Sequence, residues 1–225
     1  MTDGTVAPVG TVTPSWKLLL TLGLAGAVSG LVIILAYIAT LPRIDAYKSH
    51  ELQLAIEEVL KVPHRSDTLF LDKDVLTATR PVVEPGARVE RIYHGFDRAG
   101  IPVGYAIEAI GPGFSDPIRL LVGYDHARRA LLGIKILDSK ETPGIADGVL
   151  KPAFTGQFEG AVVPVLGVKA SPKAVEKGTV VLITGATISS RAIVKAINMS
   201  MDRWGPMIAR YEASPGAAAP GKGKD

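Results

Sequence analysis

Residues 89–137 read VERIYHGFDRAGIPVGYAIEAIGPGFSDPIRLLVGYDHARRALLGIKIL, and this stretch decides the fold. Four short runs of alternating apolar character, Val89 to Phe96, Val103 to Ile110, Ile118 to Tyr124 and Ala130 to Leu137, have the period of strands. Between them lie Asp97-Arg98-Ala99-Gly100 and Asp125-His126-Ala127-Arg128-Arg129, connections too short for a parallel crossover. Each therefore predicts an antiparallel hairpin, and together they predict a mainly antiparallel sheet.

Toward the N-terminus the pattern changes twice. Leu52, Ala55, Ile56 and Val59 recur at helical spacing with Gln53, Glu57, Glu58 and Lys61 on the other face, until Pro63 stops the run. Before them, Leu18 to Leu41 form 24 uncharged residues between Lys17 and Arg43, thirteen of them Leu, Ile or Val. As a helix they would span about 36 Å, enough to cross a hydrocarbon core about 30 Å thick. The expectation is a single transmembrane anchor at 18–41, preceded by a short tail at 1–17 with Trp16 at the membrane edge. A cleaved signal peptide is the alternative, against which stand the length of the apolar run and the lack of an A-x-A site after it. One basic residue before the anchor and two soon after it leave the orientation open on charge alone.

Toward the C-terminus, residues 138–160 are punctuated by Pro143, Gly144, Gly148, Pro152, Gly156 and Gly160, which predicts a long irregular segment of the kind that lines sites. An apolar run from Val180 to Ile183 then breaks at Thr184-Gly185-Ala186-Thr187. An amphipathic helix follows from about Ile188 to Trp204, with Gly205-Pro206 expected to kink or end it. Residues 212–225, rich in Gly, Ala and Pro, read as a disordered tail. The fold class is α+β, one N-terminal transmembrane helix followed by a mainly antiparallel sheet with flanking helices.

Composition narrows the function. The 225 residues carry 25 Lys and Arg against 22 Asp and Glu, with 6% aromatics, so nothing resembles a nucleic-acid footprint. The absence of cysteine excludes disulfides, thiolate-held zinc and cysteine-ligated iron–sulfur clusters within the chain. His50, His64, His94 and His126 have no ligand spacing, at least three are expected on the surface or in turns, and no metal site is expected. Glu108 is expected to face solvent, Phe158 and Trp204 to be core or interface aromatics. No paired-carboxylate arrangement or nicotinamide fingerprint is present.

The strand, small-residue turn and helix at 180–204 suit an anion. Amides at a helix start are unpaired and the macrodipole there is positive, worth about 0.3–1 kcal/mol toward a phosphate. Thr184, Thr187, Ser189 and Ser190 put four hydroxyls within seven residues, available either to cap the helix or to contact a phosphoryl group.

The order of these residues adds more. Thr184-Gly185-Ala186-Thr187 resembles the flavinylation motif [ST]-G-A-T, and Glu141-Thr142-Pro143-Gly144 after the strand Gly133 to Asp138 resembles the E-T-P-G of the same family. Lys151-Pro152-Ala153-Phe154 through Gln157-Phe158 continues the likeness. From about residue 95 to 204 the chain resembles the FMN-binding domain of the G subunit of the Rnf electron-transport complex, and more distantly the C subunit of the sodium-pumping NADH:quinone oxidoreductase. The family pattern places an acidic residue three positions before the Ser or Thr of the motif, where this chain has Val181.

The resemblance implies FMN joined through its phosphate to Thr187, with Thr184, Gly185, Ala186, Ser189, Glu141, Thr142 and Gly144 around it. A tight turn with local capping is the alternative role for the last three. It further implies a separate flavin transferase, sister subunits of a membrane complex, and an FMN-binding domain at 44–211 on the periplasmic or outer side of the inner membrane. The chain would then be an electron relay in an ion-translocating complex, with no catalytic residues or substrate reaction of its own. A membrane-anchored regulatory or sensor module and a non-flavin structural subunit are the other readings.

Overall fold

The computed structural model describes residues 14–61, 63–82, 84, 89–113, 116–138, 147–169 and 177–214, with only the backbone of Asp45. The chain divides into two units, residues 1–50 and 51–225.

Helix α1 runs from Ser15 to Val59 without a break, although Pro42 inside it removes one backbone donor. In the first unit its large apolar side chains are exposed, Leu22 and Leu19 among them, except for the half-buried Leu41. Such a surface is unfavourable in water and natural in hydrocarbon. In the second unit the helix closes with Leu60 N–H donating to Ile56 O and with Lys61 in the left-handed region at φ 59°.

Strands β1 (Arg65–Asp72), β2 (Val75–Thr77), β3 (Arg91–Phe96), β4 (Pro102–Pro112), β5 (Pro117–Asp125) and β6 (Ala130–Asp138) form one sheet in the order β2-β1-β3-β4-β5-β6. Every pairing in it is antiparallel, as the alternation and short turns predict. The turn residues explain the hairpins. Asp97 Oδ1 accepts the N–H groups of Ala99 and Ile101, both at 2.8 Å, and Asp125 Oδ1 accepts that of Arg128 at 3.0 Å.

The irregular segment after β6 contains local structure within its described part: α2 (Asp147–Leu150), α3 (Pro152–Thr155) and a 3-10 turn over Gly156–Phe158. Strands β7 (Leu166–Val168) and β8 (Thr179–Val181) pair in parallel as a separate ribbon. Helix α4 then spans Thr187–Glu212. Of the two outcomes expected at Gly205-Pro206, a kink or an end, the end does not occur. Pro206 costs one helical hydrogen bond, but Trp204 and Ile208 on either side are buried in the core, and their packing outweighs that loss.

The two faces of the sheet are covered by different helices. Tyr105, Ile107, Leu120 and Val122 face α4 through Ile193, Ile197, Trp204 and Ile208, with Phe154 and Phe158 completing this core. Tyr93, Ala106 and Leu121 pack against Ala55, Ile56, Val59 and Leu60 at the end of α1. Gly123 permits that second contact, because a Cβ there would lie 2.2 Å from Val59 O. Phe158 and Trp204 are core residues, as expected.

His50 and His64 are exposed and His126 lies in a turn, as expected of at least three of the four histidines, whereas the fourth is buried and Glu108, expected to face solvent, is only partly exposed. His94 is 3% exposed, because strand alternation turns it toward Tyr105, on which its ring stacks at 4.4 Å and 12°. Glu108 is half-buried and held by Arg119, whose Nε and Nη2 both donate to Oε1.

Candidate functional site

The site is built where β8 hands over to α4. Gly185 sits at φ +88°, a value that favours glycine, and turns the chain sharply after Thr184. Among the described residues nothing lies within 4 Å of where its Cβ would be, so the space beside the turn is open to them. Ala186 follows as the N-cap of α4 and is buried. An alanine cannot cap, and among the described residues no side-chain oxygen takes over the first amides of the helix. The first turn also lacks an acidic residue. The result is a helix start with its N–H groups and positive dipole end left for an external anion.

The hydroxyls divide into distinct roles. Thr187, half-buried at the first helical position, donates its Oγ1 hydrogen to Ile183 O at 3.1 Å. Ser190 is fully buried, accepts the Ile183 N–H at 3.2 Å and donates to Ala186 O at 2.7 Å. It is a brace across the turn and is closed to any ligand. Ser189 is also buried, whereas Thr184 and Gly185 are exposed. Thus Thr184, Gly185, Ala186 and Thr187 come together at one exposed turn, while Ser189 lies behind it. Glu141, Thr142 and Gly144 lie outside the described residues.

Two side-chain amides hold this turn in place, and no periodicity in the chain marks either of them. Gln157 accepts the Val181 N–H at 2.8 Å and returns a longer hydrogen bond to Val181 O at 3.4 Å. It acts as a surrogate strand for β8. Asn198, on α4, accepts the Val165 N–H and donates to Val165 O, both at 2.8 Å. These contacts link positions 24 and 33 residues apart, beyond the reach of any local pattern. The one signal for Gln157 was its place in the Lys151 to Phe158 likeness. Val181 itself is half-buried, and its backbone is satisfied by the Gln157 amide, so an apolar side chain there leaves the strand intact.

The donor set fits a phosphate monoester. It offers uncapped helical amides, open space over Gly185, and a hydroxyl that can carry the ester oxygen. Esterification would replace the hydrogen that Thr187 now shares with Ile183 O, so that contact must be given up when the bond forms. Among the described residues no group of His, Asp and Glu is arranged to hold a metal ion.

Residues 113–202 match the family described as FMN-binding domain. The chain is 30% identical over 197 residues to the G subunit of the Na(+)-translocating ferredoxin:NAD(+) oxidoreductase complex of Acetobacterium woodii, covering 83% of this chain and 91% of that one. To the G subunit of the ion-translocating oxidoreductase complex of Methanosarcina acetivorans it is 29% identical over 186 residues, covering 83% and 92%. The crystal structure of Shewanella oneidensis NqrC superposes with a TM-score of 0.62 at 18% identity, covering 75% of this chain and all of the other, a likeness of fold.

Proposed function

Because the chain belongs to the G-subunit family of ion-translocating oxidoreductase complexes, we propose that it is the complex's membrane-tethered electron relay, carrying FMN esterified to Thr187. FMN is the cofactor of this domain. When bound, it can accept and release electrons singly or in pairs, chemistry that none of the protein's own side chains supplies.

The single observation that carries the attachment site is the turn Thr184 to Thr187. Its threonine hydroxyl stands at an uncapped helix start beside open space. In the attachment step the Thr187 oxygen forms a bond to the flavin-side phosphorus of FAD, the pyrophosphate bond breaks, and AMP leaves with its electron pair. The hydroxyl proton passes to the separate transferase. No oxidant or reductant is consumed. Held by its phosphate end, the ring keeps its redox atoms free, and the protein acts by orienting it and restricting its contact with water.

Membrane anchoring rests on residues 18–41, whose large apolar side chains, Leu41 aside, are exposed along α1. A single helix can tether but offers no translocation path, so ion movement belongs to sister subunits. Placement of the domain on the outer or periplasmic side, and maturation there by a flavin transferase, follow from the family resemblance.

The test is the intact mass of the full chain produced with a flavin transferase in an exporting host. The expected result is an increase of one FMN less water, mapped to the peptide containing Thr187 and fluorescent after denaturation. Thr187→Ala should abolish it entirely and Thr187→Ser retain part. An unaltered adduct in Thr187→Ala would refute the assignment. No adduct on the unaltered chain would turn attention to Val181 and a non-covalent or structural role.

A further inference from the structure

Strand β4 outruns one of its neighbours. It pairs with β3 only as far as Ile107, opposite Ile92, but continues along β5 to Pro112, opposite Pro117. Residues Glu108 to Pro112 therefore have a strand partner on one side only, among the described residues. Unpaired strand edges are templates for an added extended segment.

Beside this edge opens a cavity of about 570 Å³, bounded by β1, β4 and α4. Its apolar lining includes Phe70, Ala109, Ile110, Met199 and Trp204. Ile110 is 47% exposed and Met199 56% exposed, an unusual outlay of large apolar surface for a half-open groove. The Ser200 side-chain oxygen is buried there without a hydrogen-bond partner among the described residues.

The charges around the groove do not cancel. Arg119 is paired with Glu108, and Arg203 with Glu90. Arg80 and Arg91, which also line it, have no carboxylate partner among the described residues, and Arg91 stands 5.7 Å over the Tyr93 ring. Among the described lining residues the surplus is two positive charges. Arginine, methionine and tryptophan around an apolar centre are the composition of binding surfaces, and a charge surplus selects partners of opposite sign.

We propose that this groove receives an extended acidic segment of a sister subunit, which adds to the free edge of β4 at Glu108–Pro112 and sets its carboxylates toward Arg80 and Arg91. The inference rests on the chain's being a subunit of the complex. It concerns a face separate from Thr187, formed by the middle of α4 rather than its first turn.

The test uses the detergent-extracted complex, captured by a tag on a sister subunit, and reads how much of this chain is retained. The double variant Arg80→Glu with Met199→Glu should reduce retention about tenfold. Its flavin mass and melting temperature should match those of the unaltered chain, and retention of the unaltered chain should fall as salt rises. Arg98→Glu, in the β3–β4 turn, should leave retention unchanged. A photo-crosslinking residue at position 199 should join an acidic peptide of a sister subunit, identified by mass spectrometry. Equal retention of the double variant, or crosslinks confined to residues 83–88 of this chain or to a small molecule, would overturn the groove proposal alone. Failure of the unaltered chain to co-purify would overturn the subunit reading with it.

Discussion

The two ends of α4 are finished in opposite ways. At the N-terminal end the cap is an alanine, no side chain among the described residues satisfies the first amides, and Thr184, Gly185 and Ile188 are exposed. At the C-terminal end Tyr105 donates its hydroxyl hydrogen to Glu212 at 3.0 Å, and the buried His94 ring is enclosed by Phe96, Tyr105 and Tyr211. Ala213 N–H and Ser214 N–H return to the carbonyls of Ala209 and Tyr211. One helix thus leaves its amides uncapped at one end and has its anchorage at the other. The lesson is that an open, under-satisfied site is tolerable because the element bearing it is secured elsewhere.

That contrast can be broken most strongly at His94. Burial lowers its pKa from the ordinary 6.5 to about 4, against a smaller opposing influence from Asp67. Its Nε2 has no hydrogen-bond partner among the described residues. The unfolded chain binds this proton below pH 6.5 and the folded chain resists it, so stability present above 6.5 is lost as pH falls toward 4. The loss should reach roughly 3 kcal/mol. Denaturant unfolding of the full chain in detergent between pH 7 and pH 4 should show this excess over His94→Phe, which cannot take up a proton. Equal pH dependence of the two proteins would remove His94 from the C-terminal anchorage.

At the other end, Ser190→Ala should cost about 1–3 kcal/mol, because the Ile183 amide and Ala186 carbonyl lose their shared partner in a buried turn. Since that brace sets the turn carrying Thr187, the yield of flavin adduct should fall as well, read by intact mass. A stable protein with full adduct would show that the turn is self-supporting.

The smallest effect sharpens the comparison. Tyr105→Phe should cost only about 1 kcal/mol, since the carboxylate of Glu212 can turn to water when the hydroxyl is removed. Burial, reinforced by the Glu212 charge, raises the Tyr105 phenol far above its ordinary range, so it donates at every accessible pH. Melting temperature should drop slightly while flavin content stays unchanged. A loss of flavin in this variant would mean that the two ends are coupled.

Much of this architecture was legible in the chain. Alternating runs bounded by Asp97 and Asp125 turns specify antiparallel hairpins, because period, loop length and turn chemistry are all local quantities. The Thr184 to Thr187 turn was legible for the same reason, together with its resemblance to a known motif. Whether α4 would end at Pro206 or run on through it was not, since the local cost of a proline is visible in the sequence and the burial of Trp204 and Ile208 is not. Which of the four histidines would be the buried one was not legible either: a histidine in a strand gives no sign of which aromatic neighbours will enclose it.

The sequence by itself determined the apolar stretch at 18–41, the succession of hairpins, the cofactor family and the candidate threonine. Only the tertiary structure decided which hydroxyl stands at the open turn and which is a buried brace, that Gln157 stands in as a partner for β8, and that among the described residues β4 has an open edge beside arginines without a carboxylate partner. Periodicity and motifs depend on neighbours along the chain, whereas hydrogen-bond satisfaction and charge balance depend on groups brought together from positions tens of residues apart.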